Sequence, residues 1–242
     1  MHALQATQII KLWERLQNAS PTERAVLMLA EALAADAEEV AKLPIGRRDA
    51  GLLALRRATY GALAPCFMRC PGCGTELEFE VELDAISLAG PELGAEPHQL
   101  EHDGFRLSFR LPVSADLFLV KPDLSDRVGA LLARCVERVE RCGDVVDPTR
   151  LPQAVRDALA VEIARLDPQA DISLAVNCLS CAHGWSVDFD VAGYLFREIE
   201  LDAKRLLSEV DVLARSYGWS ETEILALSRT RRRTYLELSG AA

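Results

Sequence analysis

The chain has 242 residues, half of them hydrophobic and 26% charged, with 37 acidic against 27 basic side chains and a formal net charge of −10. That length buries a core as one large domain or two modest ones, and no run approaches the ~20 apolar residues a transmembrane helix needs. The acidic balance argues against a nucleic-acid partner, whose phosphates require a positive face. The N-terminus lacks the charged head, apolar run and cleavage site of a secretory signal, so a cytoplasmic chain is expected. In a reducing compartment, clustered cysteines point to metal binding or catalysis rather than disulfides.

Ile9, Leu12, Trp13 and Leu16 fall at i, i+3, i+4 and i+7, one face of a helix. "SPTE" at Ser20–Glu23 supplies an N-cap, a proline at the first helical position and a capping-box glutamate. Val26, Leu29, Ala30 and Leu33 then continue the helical spacing. "LPIG" at Leu43–Gly46 interrupts it, and "RRDAGLLALRRATYG" resumes it to near Gly61.

"TELEFEVEL" alternates, with Leu77, Phe79, Val81 and Leu83 on one face and Glu76, Glu78, Glu80 and Glu82 on the other. This predicts a half-buried strand with a row of carboxylates facing water. Like charges in a row repel, so compensation is expected. "FRLSFRL" at Phe105–Leu111 alternates too, and antiparallel pairing of 76–83 with 105–111 would set Arg106 and Arg110 against the glutamates, an exposed pairing whose loss is nearly silent. The intervening "LAGPELGAEPHQLEHDG" reads as an irregular loop, so His98 and His102 with Glu101 are solvated rather than a zincin pair, which needs a helix.

A helical block follows. Val128, Leu131, Leu132, Cys135 and Val139 share a face, and "LPQAVRDALAVEIARLDP" forms a second helix stopped by Pro168. "DISLAVN" and "WSVDFDV" alternate around the second cysteine pair. Phe196, Ile199, Ala203, Leu206, Val210, Leu213 and Tyr217 mark a long helix. A turn at Gly218, an N-cap at Ser220 with Glu223 closing a capping box, and "RTRRRTYLEL" complete the chain as a helical hairpin. That hairpin offers Tyr217, Trp219 and Tyr235 with Arg231, Arg232 and Arg233, the residue types that dominate interface hot spots.

Of seven cysteines, four lie in "CPGC" (Cys70, Cys73) and "CLSC" (Cys178, Cys181). Two CxxC pairs supply the ligands of a structural tetrahedral zinc site. Pro71, Gly72 and Gly74 suit a tight knuckle. The gap between pairs far exceeds the ~15–20 residues of a compact ribbon, so a helical block at 113–168 must be inserted. Loop-closure entropy grows only logarithmically with length, which makes that tolerable. The competing readings are four unrelated thiols or a redox CxxC, but neither pair sits at a helix N-terminus in a βαβ unit. Cys66 and His183 lie beside the pairs and are candidates to replace one ligand. Cys135 and Cys142, seven apart, read as small core residues on one helical face. There is no phosphate loop, GxGxxG or GxSxG, so no enzyme and no small-molecule substrate is expected.

The fold class that emerges is α+β. It is mainly helical, with a small antiparallel sheet forming a zinc-ribbon-like module assembled from two distant CxxC hairpins. The segments are 1–43, 44–112, 113–168, 169–191 and 192–242.

Taken in order, "LPIGRRDAGLLALRRATYG", "CPGCGTELEFEVE", "FRLPVSADL", "LLARCVERV", "DPQADISLAVNCLSCAHGWSVDFDV" and "YGWSETEILALSRTRRRTYLEL" resemble the T-even-type phage baseplate hub protein family and its relatives in contractile injection systems. The resemblance implies a non-enzymatic hub component or assembly factor of a contractile tail. Its partners would be proteins of the baseplate, met in the cytoplasm of the producing cell or in a tail-like particle. The family's cysteine pairs fall on Cys70, Cys73, Cys178 and Cys181. "CLSC" departs from the family, whose members more often carry proline after the first cysteine. The alternative is a zinc-ribbon adaptor binding nucleic acid or a transcription complex, against which the glutamate strand counts.

Overall fold

Helical spacing and caps lay down the first four helices, α1 (Ala6–Leu16), α2 (Pro21–Leu33), α3 (Ala37–Ala41) and α4 (Ile45–Tyr60). The structure, a computed structural model, describes residues 2–88, 97–121 and 123–240. At the head of α2 the Ser20 hydroxyl accepts the Glu23 N–H at 3.3 Å and the Glu23 carboxylate accepts the Ser20 N–H at 2.7 Å, the expected reciprocal cap. A hairpin of β1 (Leu63–Arg69) and β2 (Glu76–Glu82) follows, then a helical turn α5 (Leu83–Ile86). Next come β3 (His98–His102), β4 (Phe105–Phe109), α6 (Ser114–Leu119), α7 (Arg127–Cys135), β5 (Val136–Arg141), β6 (Asp144–Val145) and α8 (Gln153–Leu166). The second cysteine hairpin, β7 (Ser173–Asn177) and β8 (Gly184–Asp188), leads into α9 (Val191–Tyr217), α10 (Glu221–Ala226) and α11 (Arg229–Leu238).

Two apolar cores result. In the first, α1, α2 and α4 close around α9, and Leu16, Met28, Leu52, Leu55, Leu195, Ile199 and Leu206 are fully buried. Each such side chain contributes roughly 1.5–3 kcal/mol. The stripe Leu195, Ile199, Ala203, Leu206 and Leu213 holds the inner face of α9, whose 27 residues make a rod of about 40 Å. In the second core, Phe105, Leu107, Phe109 and Val139 from the four-stranded meander β3–β4–β5–β6 pack on Leu132, Leu151, Val155 and Leu159. Among the described residues no helix is long and apolar enough to cross a membrane.

The chain is mainly helical with small antiparallel sheets, but these are three separate sheets among the described residues. The predicted pairing of 76–83 with 105–111 does not occur. The glutamate strand β2 pairs with β1, Arg69 opposite Glu76 and Leu63 opposite Glu82. The turn at 70–75 closes that hairpin at far lower entropic cost than a long connection. β1 gave no clean alternation, because Pro65 and Cys66 interrupt its apolar residues.

Further expectations change. Arg106 lies opposite Glu101 of β3 and Glu140 of β5 and bonds Glu101 at 2.8 Å, so its cross-strand partner belongs to its own sheet. His98–His102 is strand β3 rather than loop; residues 89–96 of that stretch lie outside the described residues. The helix expected through Val139 ends at Cys135, and Val139 is buried in β5. The apolar positions of "VERVER" fit either period, and pairing with β4 decides for strand. Val128 is exposed, and Cys142 sits in the β5–β6 turn at φ 54°, exposed, rather than in a core helix.

Candidate metal centre

The two cysteine pairs sit in turns of the same construction. In the first, the Cys70 N–H donates to Thr75 O at 2.9 Å and the Gly74 N–H to Cys70 O at 2.8 Å. In the second, the Cys178 N–H donates to His183 O at 2.9 Å and the Ala182 N–H to Cys178 O at 2.8 Å. The residue after the second cysteine is left-handed in both, Gly74 at φ 74° and Ala182 at φ 57°. Each turn caps a hairpin, so each presents one buried sulfur (Cys70, Cys178) and one exposed sulfur (Cys73, Cys181).

The four sulfurs meet although more than a hundred residues of chain separate the pairs. Cys70 Sγ lies 3.7 Å from Cys181 Sγ, Cys73 Sγ lies 3.7 Å from Cys178 Sγ, and all four fall within 4.8 Å of one another. A tetrahedral ion with metal–sulfur bonds of ~2.3 Å sets its ligand sulfurs about 3.8 Å apart. The observed spacing therefore fits a four-coordinate thiolate site. The Thr75 hydroxyl and amide, with the sulfurs of Cys181 and Cys178 beside them, hold the Cys73 thiol down to about 6. At Cys181 the His183 backbone favours the thiolate, but the neighbouring sulfurs and burial push the group up to about 12. Four thiols this close cannot all ionise unaided; a cation at their centre removes the conflict.

Both hairpins are fixed to the start of α9. The Phe189 N–H closes the second on Ile172 O at 2.7 Å, and Asp190 caps α9 by accepting the Gly193 N–H at 2.9 Å. The first is held by Tyr194, whose hydroxyl donates to Pro65 O at 2.9 Å. Arg56 completes the joint. It is buried and forks onto Glu198 of α9 at 2.8 and 3.0 Å, while Nη1 donates to Gly61 O and Leu63 O at 2.7 Å each. One guanidinium thus ties α4, the entry to β1 and α9 together. Sequence reading passed Arg56 over; the signal was a charge one turn after Leu52, inside the apolar stripe of α4.

The cluster comprises Cys70, Cys73, Cys178 and Cys181. Cys66 faces elsewhere, its thiol 3.6 Å from Ala64 O and pushed up by burial. The His183 ring stacks on Trp185 at 5.7 Å and covers Gly72, where a Cβ would stand 3.2 Å from the ring. Neither belongs to the cluster. Cys135 is fully buried at the end of α7 and outside the cluster.

At the far end of α9, Tyr217 stacks on Trp219 at 4.7 Å, and Tyr235 meets both edge-on at 5.6 and 4.9 Å. Arg231 and Arg233 are exposed, the latter paired with Glu237 at 3.1 Å. Arg232 is different. It is 4% exposed, with Nε 2.9 Å from Glu209 of α9 and Nη1 on Leu227 O, so it clamps the hairpin to the body.

A helical body thus clasps two hairpins that share four clustered thiols. The family described as T4 bacteriophage base plate protein matches residues 11–195. That stretch is most of the chain and holds both cysteine pairs, and the chain belongs to this family. α10 and α11 lie beyond the matched residues. Comparison with curated proteins and with solved structures gave no match.

Proposed function

We propose that this protein is a non-enzymatic structural or assembly component of a contractile-tail baseplate, stapled by one zinc ion in a four-cysteine site. The observation that carries the metal is the 3.7 Å spacing across the two hairpins, which suits thiolate ligands of zinc. The matched turns support a zinc-ribbon-like construction from two distant knuckles. Closing a hundred-residue gap with metal bonds fixes both hairpins against α9, and binding energy of that kind contributes directly to folding. The role is therefore mechanical. The ion holds one end of the body rigid.

Partner contact is assigned to the C-terminal hairpin. Trp219 and Tyr235 are pre-stacked with Tyr217, so little side-chain entropy is lost on docking, and Arg231 and Arg233 supply charge for an acidic baseplate protein. Arg232 is withdrawn from this surface by Glu209. The nucleic-acid adaptor reading gains no support, because the exposed glutamates of β2 beside the first knuckle repel phosphate. The test is co-purification with the neighbouring baseplate proteins. Arg231→Glu with Arg233→Glu is expected to abolish it while zinc content and Tm stay unchanged. Normal co-purification of that double variant overturns the assignment.

A further inference from the structure

The outer face of the first cysteine hairpin is exposed among the described residues. Glu76, Glu78, Glu80 and Glu82 line one strand of it, and Leu63, Pro65, Phe67 and Arg69 stand opposite them in register, all exposed. Arg69 takes Glu76 at 2.6 Å and Arg57 takes Asp84, and among the described residues no ion pair reaches Glu78, Glu80 or Glu82. Phe67 is 70% exposed and stands directly across from Glu78, beside a shallow concavity of about 320 Å³. An aromatic face next to a carboxylate suits a guanidinium, by cation–π contact and a charge-assisted fork together.

Arginines of matching layout are on this same chain, at its other end. Arg229, Arg231 and Arg233 are exposed on α11. Arg229 and Arg233 are one helical turn apart, about 6 Å, against about 6.8 Å between alternate strand residues. The two surfaces cannot meet within one molecule. The hairpin is anchored at Tyr194 and α11 at Glu209, fifteen residues or about 22 Å along α9, well beyond the ~8 Å Debye length of physiological salt.

We propose that the acidic β1–β2 face of one copy receives the α11 arginines of a second copy, a head-to-tail contact. Unlike surfaces at opposite ends of a rigid rod make a heterologous interface, which continues into a ring or an open row rather than stopping at a symmetric dimer. The proposal rests on the reading of α11 as a contact surface, and adds its occupant. Net charge does not forbid it. At about 0.15 M salt, repulsion between acidic bodies tens of ångströms apart is screened, while ion pairs at contact are not.

Sedimentation equilibrium of the zinc-loaded full chain tests it. At about 0.15 M salt the average mass should rise with concentration, and association should weaken at least tenfold at about 1 M, where screening reaches ~3 Å. Glu78→Lys with Glu80→Lys, and separately Arg229→Glu with Arg233→Glu, should each leave a monomer of unchanged zinc content and Tm. Mixing the two variants should restore association, because each then carries the charge the other lost. A wild-type chain still monomeric at about 1 mM, association unaffected by Glu78→Lys with Glu80→Lys, or a mixture that stays monomeric overturns the proposal. The lysine variant leaves α11 intact. Loss of the self-contact alone, with co-purification still sensitive to Arg231 and Arg233, sinks this inference and not the baseplate reading.

Discussion

The guanidinium of Arg110 forks onto the carboxylate of Asp116, Nη1 at 2.7 Å from Oδ2 and Nη2 at 2.8 Å from Oδ1. Asp116 is 2% exposed and also accepts the Val113 N–H at 3.1 Å, with Arg134 at 3.3 Å. The pair fastens the end of β4 to α6 and α7. Pairing with surface glutamates would have made Arg110→Ala silent; a buried partner reverses that. The substitution leaves a desolvated carboxylate with only the Val113 amide and the longer Arg134 contact, and about 3 kcal/mol of stability should be lost in denaturant titration.

The same site sets a pH dependence. Burial raises Asp116, but the Arg110 fork, the Val113 amide and Arg134 outweigh it and hold the group below its ordinary 3.8. A depressed folded pKa contributes stability that is complete above the unfolded value and is lost as pH falls through the folded one. Thermal melts below about pH 4 should show this loss in the wild type, and Asp116→Asn should flatten that part of the profile.

Asp167 behaves in the opposite sense. Its Oδ2 accepts the Gly46 N–H at 2.9 Å, while Oδ1 is buried without a partner among the described residues, and burial pushes its pKa up, with Asp49 adding to the rise. A raised folded pKa means that ionisation costs the folded state more than the unfolded, so stability falls as pH rises from the ordinary value through the folded one. Asp167→Asn keeps an acceptor for Gly46 and should match the wild type at acid pH but exceed it at neutral pH. The approach at Gly46 is equally specific. A Cβ there would stand 1.9 Å from Oδ1 and 2.8 Å from the Ala170 amide nitrogen, so Gly46→Ala should cost about 2–3 kcal/mol.

Metal content is predicted at one zinc per chain by elemental analysis. Cys73→Ser or Cys178→Ser should lose the ion and lower Tm, since a structural site contributes folding energy. Cys142→Ser, at an exposed turn and outside the cluster, should keep both. Metal-free protein whose melt is unchanged by chelator would sink the four-thiolate assignment.

The two knuckles also invite a comparison of backbone cost. Ala182 holds φ 57° where the first turn has Gly74 at φ 74°. A side chain in the left-handed region costs roughly 1–2 kcal/mol, so Ala182→Gly should stabilise by about 1 kcal/mol. Gly74→Ala should cost a similar amount; its Cβ would meet nothing within 4 Å, which isolates the backbone effect. Equal Tm for both variants would show that the turn relaxes.

What sequence determined here is what short-range chemistry fixes. The capping boxes at Ser20 and Ser220 and the apolar stripe of α9 depend on residues three and four apart; both boxes stand as read, and the stripe holds from Phe196 to Leu213 but ends before the exposed Tyr217. The cysteine pairs were legible because each knuckle is a local turn. Their meeting followed from ligand arithmetic, since two thiolates do not fill a tetrahedron. Tertiary structure decided what no local window holds. Pairing of β2 with β1 rather than β4 turned on which strand the Cys70 turn brought back first. The conformation of Val136–Arg141 turned on an available edge at β4, because its apolar spacing suits two periods. Arg110 and Arg232 look like surface charges in sequence; the first is half-buried and the second buried, and both became clamps only because Asp116 and Glu209 arrive from other elements. Arginine carries the same letter at the surface and in a buried pair; only the partner's position in space separates the two.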